Sequence, residues 1–194
     1  MADITGTYEL GPSVGRVVVK TGREGLAARA GHDLTLEITR WSARVTIPRA
    51  EAGGDAAATL TAELDLGSLT VREGTGGAKP LSDRDRRDIQ AQARKILGDP
   101  ALASFTSAKV IPASPGASAG SAEIEGTLTL HGASRPTRLQ VVSPAPGQFR
   151  GSATVRQTDF GITPYSGFFG TLKLKNEVTV EFEVNIEGIP NVSA

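Results

Sequence analysis

The strongest pattern along the chain is an alternation of apolar and polar side chains. Between residues 59 and 66 the even-numbered positions are apolar and the odd-numbered positions are polar. The same alternation runs through residues 123–131 and 178–187. Because successive side chains of a strand point to opposite faces, each segment is predicted to be a half-buried β-strand with one wet face.

Weaker alternation marks further strands and one bend. Within residues 34–47 the apolar phase is even up to Ile38 and odd from Trp41, so a bulge or bend near Thr39 and Arg40 would bring both runs to one inward face. With the three clear strands, the weaker segments give about eight strands separated by Gly, Pro and Ser clusters. The weaker segments are 14–21, 34–47, 105–111, 137–142 and 149–158.

One helix is predicted at about 82–97. Ser82 is a suitable N-cap, acidic residues follow in the first turn, and an apolar stripe runs from Ile89 to Leu97 before Gly98. Strands with one apolar face need a second sheet or closure of the sheet on itself, so this pattern permits a sandwich and a barrel equally. The length favours a single domain, 1–194.

Composition narrows the classes of function. The 21 basic residues balance the 21 acidic ones, so no long-range field attracts the chain to nucleic acid or an anionic membrane. Without cysteine, disulfides, thiolate metal sites and thiol nucleophiles are excluded, and we expect no metal or other cofactor. No segment has the length of a membrane span and the N-terminus has no signal-peptide pattern, so a cytoplasmic location is expected.

His32 is the main candidate for site chemistry. It shares the inward phase of the strand that follows, and three interpretations stay open: a core histidine hydrogen-bonded to backbone or a carboxylate, a polar anchor for a ligand headgroup, or a general acid or base. Asp33 has the opposite phase, so a His-Asp dyad is not expected. His131 falls in the polar phase of its strand and is predicted to lie on the surface near a turn.

Aromatic residues suggest where a ligand would be held. Trp41 opens the second inward run and suits a barrel floor or pocket wall. The segment 160–170 holds four of the nine aromatic residues between glycines and a proline, and two interpretations stay open: a loop that closes over the barrel mouth, or a hydrophobic plug. Residues 73–80 and 112–121 are rich in small residues and are predicted to be flexible connections.

Several segments, in this order and spacing, resemble the YceI-like family. The resemblance is closest to a subgroup with Gly-His-Asp after the first strand and Pro-Tyr-Ser-Gly before the last, here Pro164–Gly167. It implies an all-β fold: a single closed antiparallel β-barrel of about eight strands, lipocalin-like, with the helix inserted and a long internal pocket. The matching segments are Gly6–Ser13, Gly25–Leu34, Leu102–Ser107, Gly126–Pro136 and Asp159–Ile162.

The resemblance also implies a function. Proteins of this family bind polyisoprenoid or similar lipid chains, such as a quinone tail, so we expect non-enzymatic binding, carriage or sequestration in the barrel interior. The alternatives are an enzyme on a small apolar substrate with His32 as acid or base, and an interaction module that uses the 160–170 loop or pairs through strand edges as a homodimer. The expected ligand-binding residues are His32, Leu34, Leu36, Ile38, Trp41, Leu128, Phe149, Phe160, Tyr165, Phe168 and Phe169.

Overall fold

The computed structural model describes residues 5–49, 58–112 and 120–192. Within them lie one α-helix, α1 (Asp83–Leu97), and four short 3-10 turns at Ala28–Ala30, Leu66–Ser68, Gln157–Phe160 and Phe168–Gly170. The strands are β1 (Gly6–Leu10), β2 (Gly15–Glu24), β3 (His32–Ile38), β4 (Trp41–Ile47), β5 (Thr59–Asp65), β6 (Leu69–Gly76), β7 (Leu102–Pro112), β8 (Ser121–Leu130), β9 (Ala133–Ala145), β10 (Gln148–Arg156), β11 (Ser166–Gly167) and β12 (Leu172–Asn185).

The strands form one antiparallel sheet that curls around an apolar interior. Neighbouring strands follow the order β1-β4-β5-β7-β8-β9-β10-β12-β2-β3-β6, and β11 pairs with β12. This path has two ends, so by strand order the sheet is an open half-barrel of eleven strands with one short strand beside it. The all-β antiparallel class with one helix is confirmed, whereas the predicted closed barrel of about eight strands is not.

The structure has more strands than predicted, because a bend divides the predicted segment 34–47 in two and because β1, β6 and β11 were not predicted as strands. The bend predicted near Thr39 and Arg40 separates β3 from β4, and the 3-10 turn Leu66–Ser68 separates β5 from β6. The two bends are joined through Ser68, which is buried. Thr39 Oγ1 donates to its carbonyl oxygen at 3.0 Å, and the Arg40 N–H donates to its hydroxyl oxygen at 2.9 Å. These bonds satisfy polar groups that the ladder leaves unpaired at the bends.

The predicted helix is confirmed, and α1 packs against β6 at one end of the strand path. Its first turn has a capping box, in which Ser82 accepts from the Asp85 N–H and Asp85 accepts from the Ser82 N–H. Arg86 donates to the carbonyl oxygens of Val71 and Arg72, both at 3.0 Å. The helix therefore covers carbonyl groups of a strand that would otherwise present an edge.

Replacing Ser82 with alanine is expected to lower the free energy of unfolding by about 1 kcal/mol, because it removes an N-cap side chain. The hydrogen bonds from Ser82 lower the pKa of the Asp85 carboxyl below its ordinary value. A lowered folded-state pKa stabilises the fold above the unfolded pKa, and this contribution disappears as pH falls through the folded pKa. Urea unfolding should therefore show a smaller difference between wild type and S82A in acid than at neutral pH. A difference that grows in acid would contradict this role.

The interior has a filled end and a hollow end. The filled end lies around Ile38, the most deeply buried side chain among the described residues. The 157–162 segment, whose 3-10 turn contacts β9 and β12, contributes Phe160 and Ile162 to the same core cluster, so this part of the interior is packed side chain against side chain. Its buried members include Leu34, Leu36, Ile38, Leu69, Val71, Phe160 and Ile162.

Two predicted connections have different outcomes. Residues 73–76 belong to β6 and pair with β3, so only the last part of the predicted 73–80 connection lies outside the sheet. The glycines there serve a close approach, because a Cβ at Gly77 would overlap the His32 ring. Most of the predicted 112–121 connection lies outside the described residues. No helix in the part of the chain that is described is long and apolar enough to cross a membrane.

Candidate functional site

A cavity of about 350 Å³ occupies the hollow end of the sheet. This volume is within the range of small-molecule sites, about 300 to 1,000 Å³. Nine strands contribute to its wall, so it is a feature of the whole sheet and not of one loop. The wall consists of Leu10, Val17, Trp41, Ala43, Val45, Ile47, Ala58, Thr59, Leu60, Ala62, Leu64, Phe105, Val110, Ala122, Ile124, Leu128, Thr137, Leu139, Val141, Phe149, Ala153, Val155, Val180, Phe182, Val184 and Ile186.

The wall of the cavity is chemically uniform. Among the described residues that line it, only Thr59, Thr137 and Trp41 have a polar atom in the side chain, and none is ionisable. A polar or charged ligand group inside would lose its hydration without receiving matching hydrogen bonds. The cavity is therefore suited to an apolar ligand, with affinity supplied by the area removed from water.

Small residues keep the interior open at this end. Ala43, Ala62 and Ala153 stand in the inward phase of their strands and leave space where leucine or valine would fill it. Two inward glycines have a related role. A Cβ at Gly126 would overlap the Phe105 ring, and a Cβ at Gly151 would overlap the Phe182 ring. Each ring therefore lies against the sheet over a glycine, which leaves the centre of the cavity clear.

Replacing Gly126 with alanine is expected to destabilise the fold by about 1 to 3 kcal/mol, the usual cost of overpacking. The added methyl group would meet the Phe105 ring and the Thr106 carbonyl oxygen, and the backbone oxygen cannot rotate away. Thermal or urea unfolding measures the effect. Gly11→Ala is the matched control, because a Cβ there meets nothing closer than 3.6 Å. Equal stability of the two variants would contradict the packing of Phe105 over Gly126.

The expected binding residues separate into two groups. Trp41, Leu128 and Phe149 line the cavity, and their contact with a ligand stays a prediction. The other eight do not line it. Leu34, Leu36 and Ile38 do point inward, as their phase predicts, but they belong to the filled end, where neighbouring side chains occupy the interior. The alternation of apolar residues therefore predicted correctly which side chains face inward, but it did not distinguish the filled end of the interior from the hollow end.

His32 is not among the residues that line the cavity, and its contact with a ligand stays a prediction. It is half-buried at the start of β3, and its Nε2 is 2.8 Å from the Lys79 carbonyl oxygen. This contact corresponds to the first interpretation, a histidine hydrogen-bonded to backbone. Asp33 has a separate partner, since its Oδ1 accepts from the Arg23 N–H at 2.8 Å. His131 is exposed after β8, as predicted.

The aromatic segment 160–170 does not cover the cavity either. Phe160 is 4% exposed and completes the filled end, Tyr165 is half-buried, and Phe168 and Phe169 are exposed. The segment leads into Leu172 at the start of β12, whereas the first residue of β12 that lines the cavity is Val180. The register of β12 on β2 shifts within this stretch, and the paired part of β2, Val19–Glu24, spans about 17 Å. The segment therefore lies at the filled end and not over the hollow one.

Several lining residues were not among the expected ones. Ile124, Leu139 and Phe182 belong to inward phases that the alternation had already marked. The alanines and glycines of the hollow end carry the additional signal, because small residues at inward positions of adjacent strands leave volume unfilled. Ala43 and Ala62 are directly paired across β4 and β5. The sequence contains both alanines, but only the strand register shows that they lie side by side.

Ionisable groups lie outside the cavity. Glu183 is held on the outer face between Arg150 and Arg16, whose hydrogen bonds lower the pKa of its carboxyl below the ordinary value. In the described residues no three of His, Cys, Asp and Glu come together in a group that could hold a metal ion. The chemistry of the site is therefore that of an apolar surface.

Comparison with known proteins supports one fold and one family. The crystal structure of BcnA from Burkholderia cenocepacia matches with a TM-score of 0.57 at 16% identity, covering 88% of this chain and 94% of that one. A mutant YCEI protein of Campylobacter jejuni, crystallised with a monobromobimane guest, matches with a TM-score of 0.46 at 16% identity, covering 77% of this chain and 83% of that one. None of the curated proteins compared with the chain matches it. The model of the YceI-like domain matches residues 25–186, and the chain therefore belongs to this family.

Proposed function

We propose that the protein binds an apolar chain ligand in its cavity and carries or sequesters it without changing it chemically. The ligand class is a polyisoprenoid, a quinone tail or a lipid acyl chain. One observation carries the proposal: a cavity of about 350 Å³ whose wall, as far as the described residues form it, has no ionisable side chain. Membership of the YceI-like family supports it, since the family is known for binding such chains.

The energetics fit a reversible carrier. Removing roughly 300 Å² of apolar ligand surface from water contributes about 7.5 kcal/mol at about 25 cal/mol per Å². Ordering a flexible chain and restricting its motion oppose this gain. The net affinity is then set by how much of the chain the cavity encloses, and no charged group is needed to hold it.

Closure of the sheet around the ligand is part of the proposal. The bent segments 6–24, 32–47 and 59–76 each contain two strands, and both strands of one segment pair with both strands of the next. If each bent segment is counted once and the short β11 is set aside, eight segments remain, and each of them pairs with two neighbours, because β12 pairs with β2 and β5 with β7. These pairings support a closed barrel of eight long bent strands and a single domain over 1–194.

Binding is favoured over catalysis by the same wall. An enzyme using His32 would need the imidazole within hydrogen-bond reach of a substrate, but His32 lies at the filled end and is not part of the cavity. The described lining residues supply no other general acid or base. These positions support a non-enzymatic role.

The proposal is tested by identifying what the protein holds. Protein purified without detergent is analysed by native mass spectrometry and, in parallel, by organic extraction and mass spectrometry of the extract. We expect an adduct that disappears on extraction, together with an isoprenoid, quinone or lipid chain in the extract. Protein with an unfilled cavity that fails to take up added farnesol or ubiquinone would refute the proposal.

A further inference from the structure

The filled end carries an exposed apolar surface that ligand binding does not use. Leu26 is 96% exposed, Phe168 is 64% exposed and Phe169 is fully exposed. We call these three residues the apolar tip. None of the three lines the cavity, and a group of exposed large apolar side chains marks an interaction surface.

The members of the apolar tip come from two loops that are bonded to each other. The Ala27 N–H donates to the Thr171 carbonyl oxygen at 2.9 Å, which places Leu26 beside the segment that carries both phenylalanines. The approach is close, since a Cβ at Gly25 would overlap the same carbonyl oxygen. The tip is thus one surface built on a fixed backbone contact.

The backbone that holds the two phenylalanines outward is in an energetically unfavourable conformation. Phe168 and Phe169 have φ angles of 49° and 55°, in the left-handed region that bulky residues avoid. Thr171 secures the conformation, because its Oγ1 donates to the Phe168 carbonyl oxygen at 2.7 Å and its N–H donates at 3.2 Å. Backbone strain of this kind persists where surrounding contacts impose it, and here it keeps the rings in solvent.

The charge around the apolar tip differs from the charge of the whole chain. The loops and strand ends at residues 23–31 and 166–175 contain four cationic side chains, Arg23, Arg29, Lys173 and Lys175, and one acidic one, Glu24, a balance of +3 in a chain of net charge zero. Arg23 donates to the Gly31 and Thr75 carbonyl oxygens. The other three cations are exposed and form no ion pair within the described ranges.

We propose that the apolar tip docks onto a lipid bilayer with anionic headgroups. Leucine and phenylalanine side chains can enter the boundary between headgroups and acyl chains, and the flanking cations would then face anionic lipid. A protein partner fits less well, because a standard interface buries about 800 Å² per partner and the tip offers only three apolar side chains. The balanced charge of the chain, which argues against long-range attraction, leaves this local attraction intact.

Docking by the apolar tip would orient the molecule. The first cavity-lining residue of β12 is Val180, about 17 Å from the level of Lys173 as measured along the paired strand β2, so the hollow end would face away from the membrane. The docking is independent of the proposed function, because the tip can bind a bilayer whether or not the cavity holds a ligand.

The test is flotation with extruded vesicles of phosphatidylcholine and phosphatidylglycerol in equal amounts, and with phosphatidylcholine alone. In Phe168→Asn/Phe169→Asn the apolar rings are lost while asparagine tolerates the left-handed backbone. We expect its partition into anionic vesicles to fall about tenfold or more.

Two further variants test the cations and the depth of insertion. Arg29→Gln/Lys173→Gln should lose the preference for anionic vesicles. Phe169→Trp should keep binding, and lipids brominated on the acyl chain should quench its emission more than wild type.

Leu102→Asn is the matched control, because Leu102 is exposed and lies outside the apolar tip. It should float like wild type. The folded fraction of every variant is measured, and the vesicle-bound fraction is corrected for it. Absence of wild-type flotation, or equal flotation of the double asparagine variant, would overturn the proposal. A third outcome would also overturn it: the double asparagine variant loses a dimer or another protein complex but binds vesicles like wild type.

Discussion

Filling the cavity with Ala62→Leu and Ala153→Leu is expected to weaken ligand binding about a hundredfold while the protein stays folded. Both alanines line the cavity from different strands. Displacing roughly 110 Å² of ligand contact at about 25 cal/mol per Å² costs about 2.7 kcal/mol of binding free energy, which corresponds to this factor. Titration with an environment-sensitive apolar probe, or with a ligand recovered from the protein, measures the change.

The control for cavity filling uses the neighbouring residue on each strand. Thr61 and Thr154 point to the outer face and are exposed, so Thr61→Leu/Thr154→Leu adds comparable apolar volume without entering the cavity. This variant should bind with wild-type affinity. If the inward double variant binds equally well while its unfolding transition stays cooperative, the ligand lies elsewhere.

Replacing Phe160 with alanine is expected to lower the free energy of unfolding by about 3 to 5 kcal/mol, the usual cost of deleting a buried aromatic ring. Phe160 is among the most buried residues of the filled end and belongs to its core cluster. Phe169→Ala in the same segment should change stability by less than about 0.5 kcal/mol, because its ring is in solvent and its backbone strain is unaltered. Urea unfolding of both variants measures the difference.

The two phenylalanine variants also test the division of the 160–170 segment. If both cost the same, the segment acts as a single plug, as one interpretation of the sequence proposed. If the variant at Phe160 leaves stability unchanged, the filled end is not packed as described. The structural account requires a large effect at Phe160 together with a small one at Phe169.

Alternation predicted the sheet well because burial on one face is a local property of each strand. The phase change at Thr39 and Arg40 was visible because a bend must shift which positions face inward. The signal for the start of the helix was also local, because Ser82 and Asp85 form the capping box within one turn. For the same reason, the inward direction of Trp41 and Leu128 followed from the sequence alone.

Hollow and filled ends could not be separated from the phases, because free volume depends on side chains that meet from strands far apart in sequence. Ala62 faces Phe105 across one pair of strands and Ala43 across the other. His32 is covered by residues 77–80, a contact across more than forty residues that no local pattern encodes. The grouping of Phe160 with Phe169 in sequence likewise concealed that one ring is inward and the other outward.

A wall without charge gives the cavity little means of telling one hydrocarbon from another. If the protein binds an apolar chain as proposed, discrimination comes from chain length and branching, and the occupant in a cell would follow local abundance as much as molecular identity. Calorimetry should show a negative heat capacity change, with little sensitivity to buffer pH. In evolutionary terms, exchanging one inward alanine for a bulkier residue would shift the preferred chain length without any change in chemistry.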